Sequence, residues 1–286
     1  MKNNLIILLM LILNINIFGN KIIPTRAIST SQFTTEILLS IGAKNQMVGT
    51  AFLDDEILPE LKESYDKIPV LSRTAPSKEY FYEQNPDFLT GWNSIVTPKG
   101  LGSIEELESN GIQVYLMKSQ NSNKIEDVYE DILILGKIFN LENNSNRIVN
   151  NMKNEFETIK TLLPPKQVKV FAYDSGENVP FVVGGNGIGN TLIEMAGGIN
   201  LFKYAKGSFT SGNWEEILAQ DPEYIIIINY GNTSYEDKVN FLKTKSPLKN
   251  LKAVNEDKFI KVDLSNFSPG IRNLNTVKYL FKEFHK

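Results

Sequence analysis

The chain has 286 residues, of which 42% are hydrophobic and 22% charged, a composition typical of a globular protein with room for two domains. Its net charge of −3 gives no reason to expect a nucleic-acid partner. The sequence contains no cysteine, which excludes disulfides, thiolate metal sites and a lipid-modified cysteine. Its one histidine is His285, so a triad with a histidine base and a histidine-rich metal site are both disfavoured, and we expect no protein metal ligands.

Residues 1–20 are predicted to form a secretory signal peptide. Lys2 supplies the positive start, and residues 5–18 form an apolar stretch that is short for a membrane-spanning helix. Gly19 is a small residue near the expected cleavage site. An uncleaved anchor is the alternative. An exported chain without a lipid anchor is expected to be soluble and periplasmic.

Strands and helices alternate through the first half of the chain, which favours a parallel sheet with helices on both faces. The apolar runs predict strands at residues 26–29, 47–51, 88–89 and 112–117, and helices at residues 34–41 and 104–109. A polar loop, residues 72–78, follows the apolar run 68–71.

Two consecutive helical patterns, residues 125–139 and 144–163, interrupt this alternation. The second ends at Pro164-Pro165 and would span roughly 30 Å, enough to cross from one lobe to another. We therefore predict an amino-terminal lobe (21–140), a connecting helix (141–164) and a carboxy-terminal lobe (165–286). An ordinary surface helix on the first domain is the alternative.

The alternation restarts in the second half. It predicts strands at residues 168–173, 181–184, 224–228 and 259–264, and helices at residues 191–196, 239–244 and 273–284. The predicted fold class is therefore α/β, with two Rossmann-like lobes that have parallel-rich sheets and are joined by one long α-helix.

One phrase occurs in both halves: a Glu followed seven residues later by Pro, then an acidic and an aromatic residue. Glu79 precedes Pro86 and Glu215 precedes Pro222 at this spacing. Because proline stops a helix, each phrase predicts a short helix followed by a buried strand. The two Glu residues could be a catalytic carboxylate pair, but equivalent positions on separate lobes are a poor fit to that role. Charge favoured at a helix amino terminus is the plainer interpretation.

The glycine-rich stretch 184–189 follows one predicted strand and precedes a predicted helix. It lacks both the P-loop Lys-Ser/Thr pair and the dinucleotide spacing, so we expect no nucleotide site. The alternative is a tight turn with free backbone donors at the ligand-binding edge of a sheet.

Aromatic residues near predicted strand and helix ends are candidates for the wall of a ligand site, although most single aromatics are core residues. The candidates are Trp92, Tyr173, Phe209, Trp214, Tyr230 and Phe267. Arg73, in a loop, and Arg272, at the start of the last helix, are candidates for contacting an anion, with a solvent-facing position as the alternative.

A set of short motifs runs in order from about residue 25 to the carboxy terminus: 27–31, 35–38, 42–43, 47–49, 79–87, 196–200, 215–223, 251–254 and 269–272. This ordered set resembles the substrate-binding proteins of ABC importers for ferric siderophores, haem and cobalamin. The resemblance implies two lobes joined by a long helix, with the ligand between them. It also implies that Glu79 and Glu215 dock onto arginines of a permease dimer in the inner membrane.

What the resemblance implies about the ligand is less specific. The loop before Glu79 has no Tyr or His that could bind haem iron, which disfavours haem. Residues 176–190 and 229–231 are more similar to the siderophore branch of the family, so we expect a ferric siderophore, with haem or cobalamin as the alternative. We expect a monomer that binds a small-molecule Fe(III) chelate through aromatic walls and cationic donors, with no cofactor of its own. A carboxylate-based secreted hydrolase is the competing class, and we expect no enzymatic activity. A binder of a free metal ion is a third possibility; the lack of Cys and of any His but His285 disfavours it, although carboxylates and Tyr could still bind iron.

Overall fold

The computed structural model describes residues 23–286, so the predicted signal peptide at residues 1–20 lies outside the described range. The fold is α/β with two lobes, as predicted. Each lobe is built around its own sheet, and one long helix connects them. No helix within the described range is long and apolar enough to cross a membrane.

The first lobe has a five-stranded sheet in which all the neighbouring pairs are parallel. Its order is β3-β2-β1-β4-β5. The strands are β1 (Ala27–Thr30), β2 (Met47–Ala51), β3 (Val70–Ser72), β4 (Phe88–Gly91) and β5 (Gln113–Tyr115). The helices are α1 (Gln32–Ile41), α2 (Lys62–Tyr65), α3 (Lys78–Glu83), α4 (Ile104–Ser109) and α5 (Ile125–Ile138).

Helix α6 (Glu142–Leu162) connects the lobes. Its 21 residues correspond to roughly 30 Å. One side is buried, through residues spaced alternately four and three apart: Ser145, Val149, Met152, Phe156 and Ile159. This spacing is that of a single helical face, which explains why the sequence predicted the helix within two residues at its start and one at its end.

The second lobe has a mixed, parallel-rich sheet in the order β11-β10-β6-β7-β9, with β8 also pairing with β6. Strands β7 and β9 form the antiparallel part. The strands are β6 (Val168–Ser175), β7 (Phe181–Val183), β8 (Gly198–Asn200), β9 (Phe209–Ser211), β10 (Tyr224–Asn229) and β11 (Phe259–Asp263). The helices are α7 (Ile188–Met195), α8 (Trp214–Gln220), α9 (Tyr235–Thr244), α10 (Lys252–Asn255) and α11 (Arg272–Phe284).

The repeated phrase folds into the same unit in each lobe. Helices α3 and α8 both end before a residue with positive φ, Asn85 at 48° and Asp221 at 46°. After the proline, Asp87 donates its backbone N–H to the Arg26 carbonyl, and Glu223 donates its own to the Lys169 carbonyl. The following strands, β4 and β10, pair with the first strand of their respective sheets.

Side chains complete the equivalence of the two units. The Arg26 guanidinium donates to the Gln84 carbonyl, and the Lys169 ammonium donates to the Gln220 carbonyl. Each cation therefore caps the end of the helix in its own unit. The repeated phrase in the sequence therefore corresponds to a repeated structural unit, in which a short helix ends and the chain reverses into a central strand of the sheet.

The largest of the three hydrophobic core clusters in the described range spans both lobes. Buried residues of α1, α5 and α6 belong to the same cluster as residues of β6, β10 and α11. Polar contacts also cross between the lobes. Among them are the ion pair of Glu36 with Arg272, the hydrogen bond from the Ser265 N–H to Asp55, and the hydrogen bonds that join Asn123 to Gly185 and Thr191. The two lobes are therefore packed directly against each other as well as joined through α6.

Candidate functional site

A cavity of about 400 Å³ lies between the lobes, where parallel strands of both sheets end. Open α/β sheets bind ligands at this carboxyl edge. Residues just beyond β4, β10 and β11 contribute to it, together with Asp174 near the end of β6. Its lining is Trp92, Ser119, Gln120, Asp174, Phe181, Val183, Ile188, Gly189, Ser208, Phe209, Tyr230, Leu264, Phe267, Ser268 and Pro269. A more open groove, lined by α5, α6 and α7, lies away from these strand ends.

Four of the six aromatic residues predicted to form the wall line this cavity: Trp92, Phe209, Tyr230 and Phe267. Trp92 follows β4 and packs edge-on against Phe33 with the ring centroids 4.8 Å apart. Phe209 stacks on Phe181, another lining residue, at 6.0 Å. The rings come from both lobes, so a flat or apolar solute could be held between them.

Tyr173 and Trp214 are elsewhere, in the core of the second lobe. Both belong to the cluster around Phe171, and they are only 2% and 8% exposed. The Tyr173 hydroxyl donates to the Gly176 carbonyl, and the Trp214 indole N–H donates to the Glu177 carbonyl. The prediction that these rings form the ligand wall therefore does not fit the structure; they pack the lobe and satisfy their polar atoms internally.

Alternation along β6 explains this placement. Side chains of a strand point to opposite faces in turn, so Phe171 and Tyr173 share one face. Asp174 is next in the chain and lines the cavity. The predicted strand stopped at residue 173, whereas β6 continues to Ser175.

Arg272 also departs from its predicted role. Its guanidinium donates to both carboxylate oxygens of Glu36, at 2.6 and 2.7 Å, and to the Glu56 carbonyl at 2.6 Å. A fourth contact reaches Asn266. Arg272 is therefore occupied in a buried ion pair between the lobes. Arg73 lies in the exposed loop after β3 and is not among the residues that line the cavity.

Backbone donors of the glycine-rich stretch 184–189 also have hydrogen-bond partners within the protein. The backbone N–H groups of Gly184, Gly185 and Asn186 donate to carbonyls of Ser208, Ala205 and Gly207, respectively. These donors are therefore not free, contrary to the tight-turn interpretation of the sequence. Gly189 does approach the cavity, because a Cβ there would meet the Phe267 ring at 3.2 Å. The absence of a side chain lets α7 begin directly beside that ring.

On the first-lobe side of the cavity, the turn that contributes lining residues is held in place by Asp131, which is not itself a lining residue. Asp131 on α5 is fully buried and accepts hydrogen bonds from the Tyr115 hydroxyl and from the backbone N–H groups of Lys118 and Ser119. These bonds hold the turn that presents Ser119 and Gln120 to the cavity. No local motif marked this turn, because its anchor lies 12 residues away from Ser119.

Carboxylates dominate the charge around the cavity. Asp174 is the one charged residue in its lining. Burial raises the pKa of Tyr230, and the nearby Asp54, Asp174 and Asp55 carboxylates raise it further, so all three lie within electrostatic reach of that phenol. Burial, reinforced by the Asp55 charge, raises the pKa of Asp54 to about 6.

Glu79 and Glu215 occupy equivalent positions. Both are exposed and lie in the first turn of their helices, α3 and α8, each of which has a side-chain cap from Ser77 or Asn213. Each helix runs back along the strand that follows it, so its first turn lies toward the carboxyl edge of the sheet, the edge that also forms the cavity. The two carboxylates are on separate lobes, an arrangement that does not resemble a catalytic pair.

Comparison with known proteins agrees with this architecture. The family model described as periplasmic binding protein matches residues 28–264. A periplasmic binding protein from Veillonella parvula shares 33% identity at a TM-score of 0.86, with 92% of this chain and 91% of that chain covered.

More distant structures share the fold alone. One is an ABC-type Fe3+-hydroxamate transport system protein from Saccharomonospora viridis, with 18% identity, a TM-score of 0.75, and 92% and 94% coverage. Another is a periplasmic heme-binding protein from Vibrio cholerae, with 17% identity, a TM-score of 0.73, and 92% and 100% coverage.

Proposed function

Because this chain belongs to the periplasmic binding protein family, we propose that it captures an iron chelate of the ferric siderophore kind between its lobes and delivers it to an ABC importer. The observation that carries the proposal is the cavity at the strand ends, with aromatic rings contributed by both lobes. Rings at such an edge suit a bulky, partly apolar solute better than a bare ion.

The mode of binding follows from the lining. In a ferric siderophore the iron is already saturated by oxygen donors, so the protein need supply only shape, aromatic contact and hydrogen bonds. The Trp92 ring lines the cavity, and its buried indole N–H has no hydrogen-bond partner within the described chain. The hydroxyls of Ser208 and Ser268 offer further adaptable contacts, whereas that of Ser119 donates to Asp131.

Haem and cobalamin are the alternative solutes. Haem remains an alternative because the fold is similar to that of a heme-binding protein. A role in binding and not in catalysis is supported by the family and by the placement of the single histidine. His285 lies on the far end of α11, where its ring contacts the Ala196 carbonyl and the rings of Phe281 and Phe284.

The proposed partner is a permease dimer, contacted by Glu79 on one lobe and Glu215 on the other. Their exposure and their equivalent positions in the two repeated units support this arrangement. We propose that the protein acts as a periplasmic monomer, because a docking surface that uses both lobes has to remain free.

A panel of ligands tests the proposal. The mature chain is heated with ferric hydroxamates, ferric catecholates, ferric citrate, haem and cobalamin, and with each iron-free chelator as a control. A ligand at one hundred times its Kd stabilises the native state by about 2.7 kcal/mol, which raises the melting temperature measurably. A response to an iron chelate supports the proposal, and mass spectrometry of the solute retained from iron-limited cells would identify it. No response to any member of the panel contradicts it.

A further inference from the structure

The charges around the cavity bear on which chelates it accepts. Four aspartates lie at or beside it: Asp174 in the lining, Asp54 and Asp55 on the first lobe, and Asp263 at the end of β11. No lysine or arginine is found among the lining residues of the described chain. A solute that enters this space therefore meets negative charge first.

The nearest cations are held by other partners. Arg272 is paired with Glu36 in the buried contact between the lobes, and its charge also acts on the carboxylates of Asp55 and Asp263. The Lys238 ammonium donates to the carbonyls of Ile228 and Tyr230, so it lies beneath the end of β10 and outside the cavity lining. Burial lowers the pKa of Lys238, and the Asp174 carboxylate opposes this shift, so the ammonium lies within electrostatic reach of Asp174 although it is outside the cavity lining.

One carboxylate oxygen is already without a partner. Oδ2 of Asp54 is buried and accepts no hydrogen bond within the described residues, whereas Asp55 is bonded to the Ser265 N–H. An anionic solute would add like charge next to such a group, and a low-dielectric cleft strengthens that repulsion. A cationic group would be attracted to the same place.

We propose, building on the function proposed above, that the cleft selects iron chelates that are neutral or positively charged overall, and that Asp174 is the specificity-determining residue that pairs with a cationic group on the ligand. Ferric trihydroxamates fit this requirement, since three hydroxamate anions balance the charge of Fe(III) and a pendant amine adds a positive charge. Ferric tricatecholates carry three negative charges and haem carries two carboxylates, so both are disfavoured.

Three probes with one chelate core isolate charge from shape. They are ferrioxamine B with its free amine, its N-acetylated form, which is neutral, and its N-succinylated form, which is anionic. Isothermal titration of the wild-type chain should give the tightest binding for the amine, weaker binding for the acetamide, and the weakest for the succinate. We expect about tenfold between the first and the last, the worth of one charge-assisted contact.

Asp174→Asn keeps the shape of the side chain and removes its charge. We expect this variant to bind the amine probe about tenfold more weakly and to bind the acetamide probe within about threefold of the wild type. Glu108→Gln removes a carboxylate from an exposed position on α4, and it should leave the order of the three probes unchanged.

The outcomes separate this inference from the function on which it rests. Tightest binding of the succinate, or of a catecholate or haem from the wider panel, overturns the charge selection and leaves the chelate-binding function intact. An unchanged order in Asp174→Asn overturns the role of that residue. No binding of any probe or panel member overturns both proposals together.

Discussion

The buried pair of Glu36 and Arg272 is the residue-scale contact with the largest expected effect on stability. Glu36 has a side chain 1% exposed, and Arg272 reaches it from 236 positions further along the chain. Removing one member of a buried pair leaves the other charged and unpaired. We therefore expect Arg272→Met to lower the free energy of unfolding by about 3–5 kcal/mol.

Chemical denaturation would measure this loss. The double variant Glu36→Gln with Arg272→Met should recover part of it, because no buried charge is then left alone. Arg73→Met is the matched control, since Arg73 is exposed, and it should stay within about 0.5 kcal/mol of the wild type. Equal stability of all three variants would contradict a structural role for the pair.

The raised pKa of Asp54 predicts that the stability of the folded protein depends on pH. Its pKa of about 6 in the folded state lies above the ordinary value of 3.8, because burial disfavours its charged form. The native state therefore binds the proton more tightly than the unfolded state does. The stability that this provides is present below pH 3.8 and is lost as the pH rises through 6.

Asp54→Asn should consequently be more stable than the wild type at pH 7.5 by about 1 kcal/mol, a figure reduced for the partial exposure of the group. At pH 4 the two proteins should have nearly the same stability, because the wild-type carboxyl is then largely protonated. Urea unfolding at the two pH values measures the difference. If Asp54→Asn were more stable than the wild type by the same amount at both pH values, the effect would not arise from titration of Asp54.

Individual residues also show which parts of the candidate site could be predicted from the sequence and which could not. Trp92 and Tyr230 could be predicted as cavity residues because each directly follows a strand. Tyr173 was misassigned because β6 runs two residues beyond the predicted end, and this same extension concealed Asp174. The partner of Arg272 could not be found at all, since a contact over 236 positions leaves no local pattern.

At the scale of elements, helices α3 and α8 carry the proposed docking residues. We expect Glu79→Ala and Glu215→Ala to leave ligand affinity and melting temperature nearly unchanged, because both side chains are exposed. Stimulation of the importer's ATPase in liposomes should fall in each variant and most in the double variant, since rim charges steer association and set the register.

Glu216→Ala is the matched control for this test. Glu216 is also exposed and lies in the first turn of α8, but it corresponds to Tyr80 in the other unit and so has no acidic counterpart. Normal stimulation by the double variant, or loss of ligand binding in it, would contradict the docking role.

The elements themselves were largely predictable. Long amphipathic segments such as α6 and α11 have enough turns for the helical period to be read, and proline and glycine mark several of the ends. Strands β8 (Gly-Ile-Asn) and β9 (Phe-Thr-Ser) each contain only one large apolar residue, so no apolar run marks them in the sequence. Their pairing depends on β6 and β7, so only the assembled sheet reveals them.

For the whole molecule, the shared core predicts cooperative behaviour. The largest cluster of buried residues includes parts of both lobes, and several polar contacts cross between them. We therefore expect a single unfolding transition in scanning calorimetry, with equal calorimetric and van't Hoff enthalpies. Two resolved transitions would show that the lobes are stable independently.

The same contacts limit how far the lobes can separate. We expect the radius of gyration, about 18 Å for a compact chain of this size, to change little when a ligand binds. Solution X-ray scattering with and without a bound chelate measures this change. A large decrease on binding would require the Glu36–Arg272 pair to be broken in the free protein.

The positions of the two tryptophans have a consequence for spectroscopy. Trp92 faces the cavity, whereas Trp214 is packed in the core of the second lobe, and the sequence contains no other tryptophan. A coloured ferric chelate in the cavity should quench the emission of Trp92 at short range and affect that of Trp214 less. The chain thus carries one optical reporter of occupancy and one of the integrity of its second lobe, and replacing either by phenylalanine would let the other be observed alone.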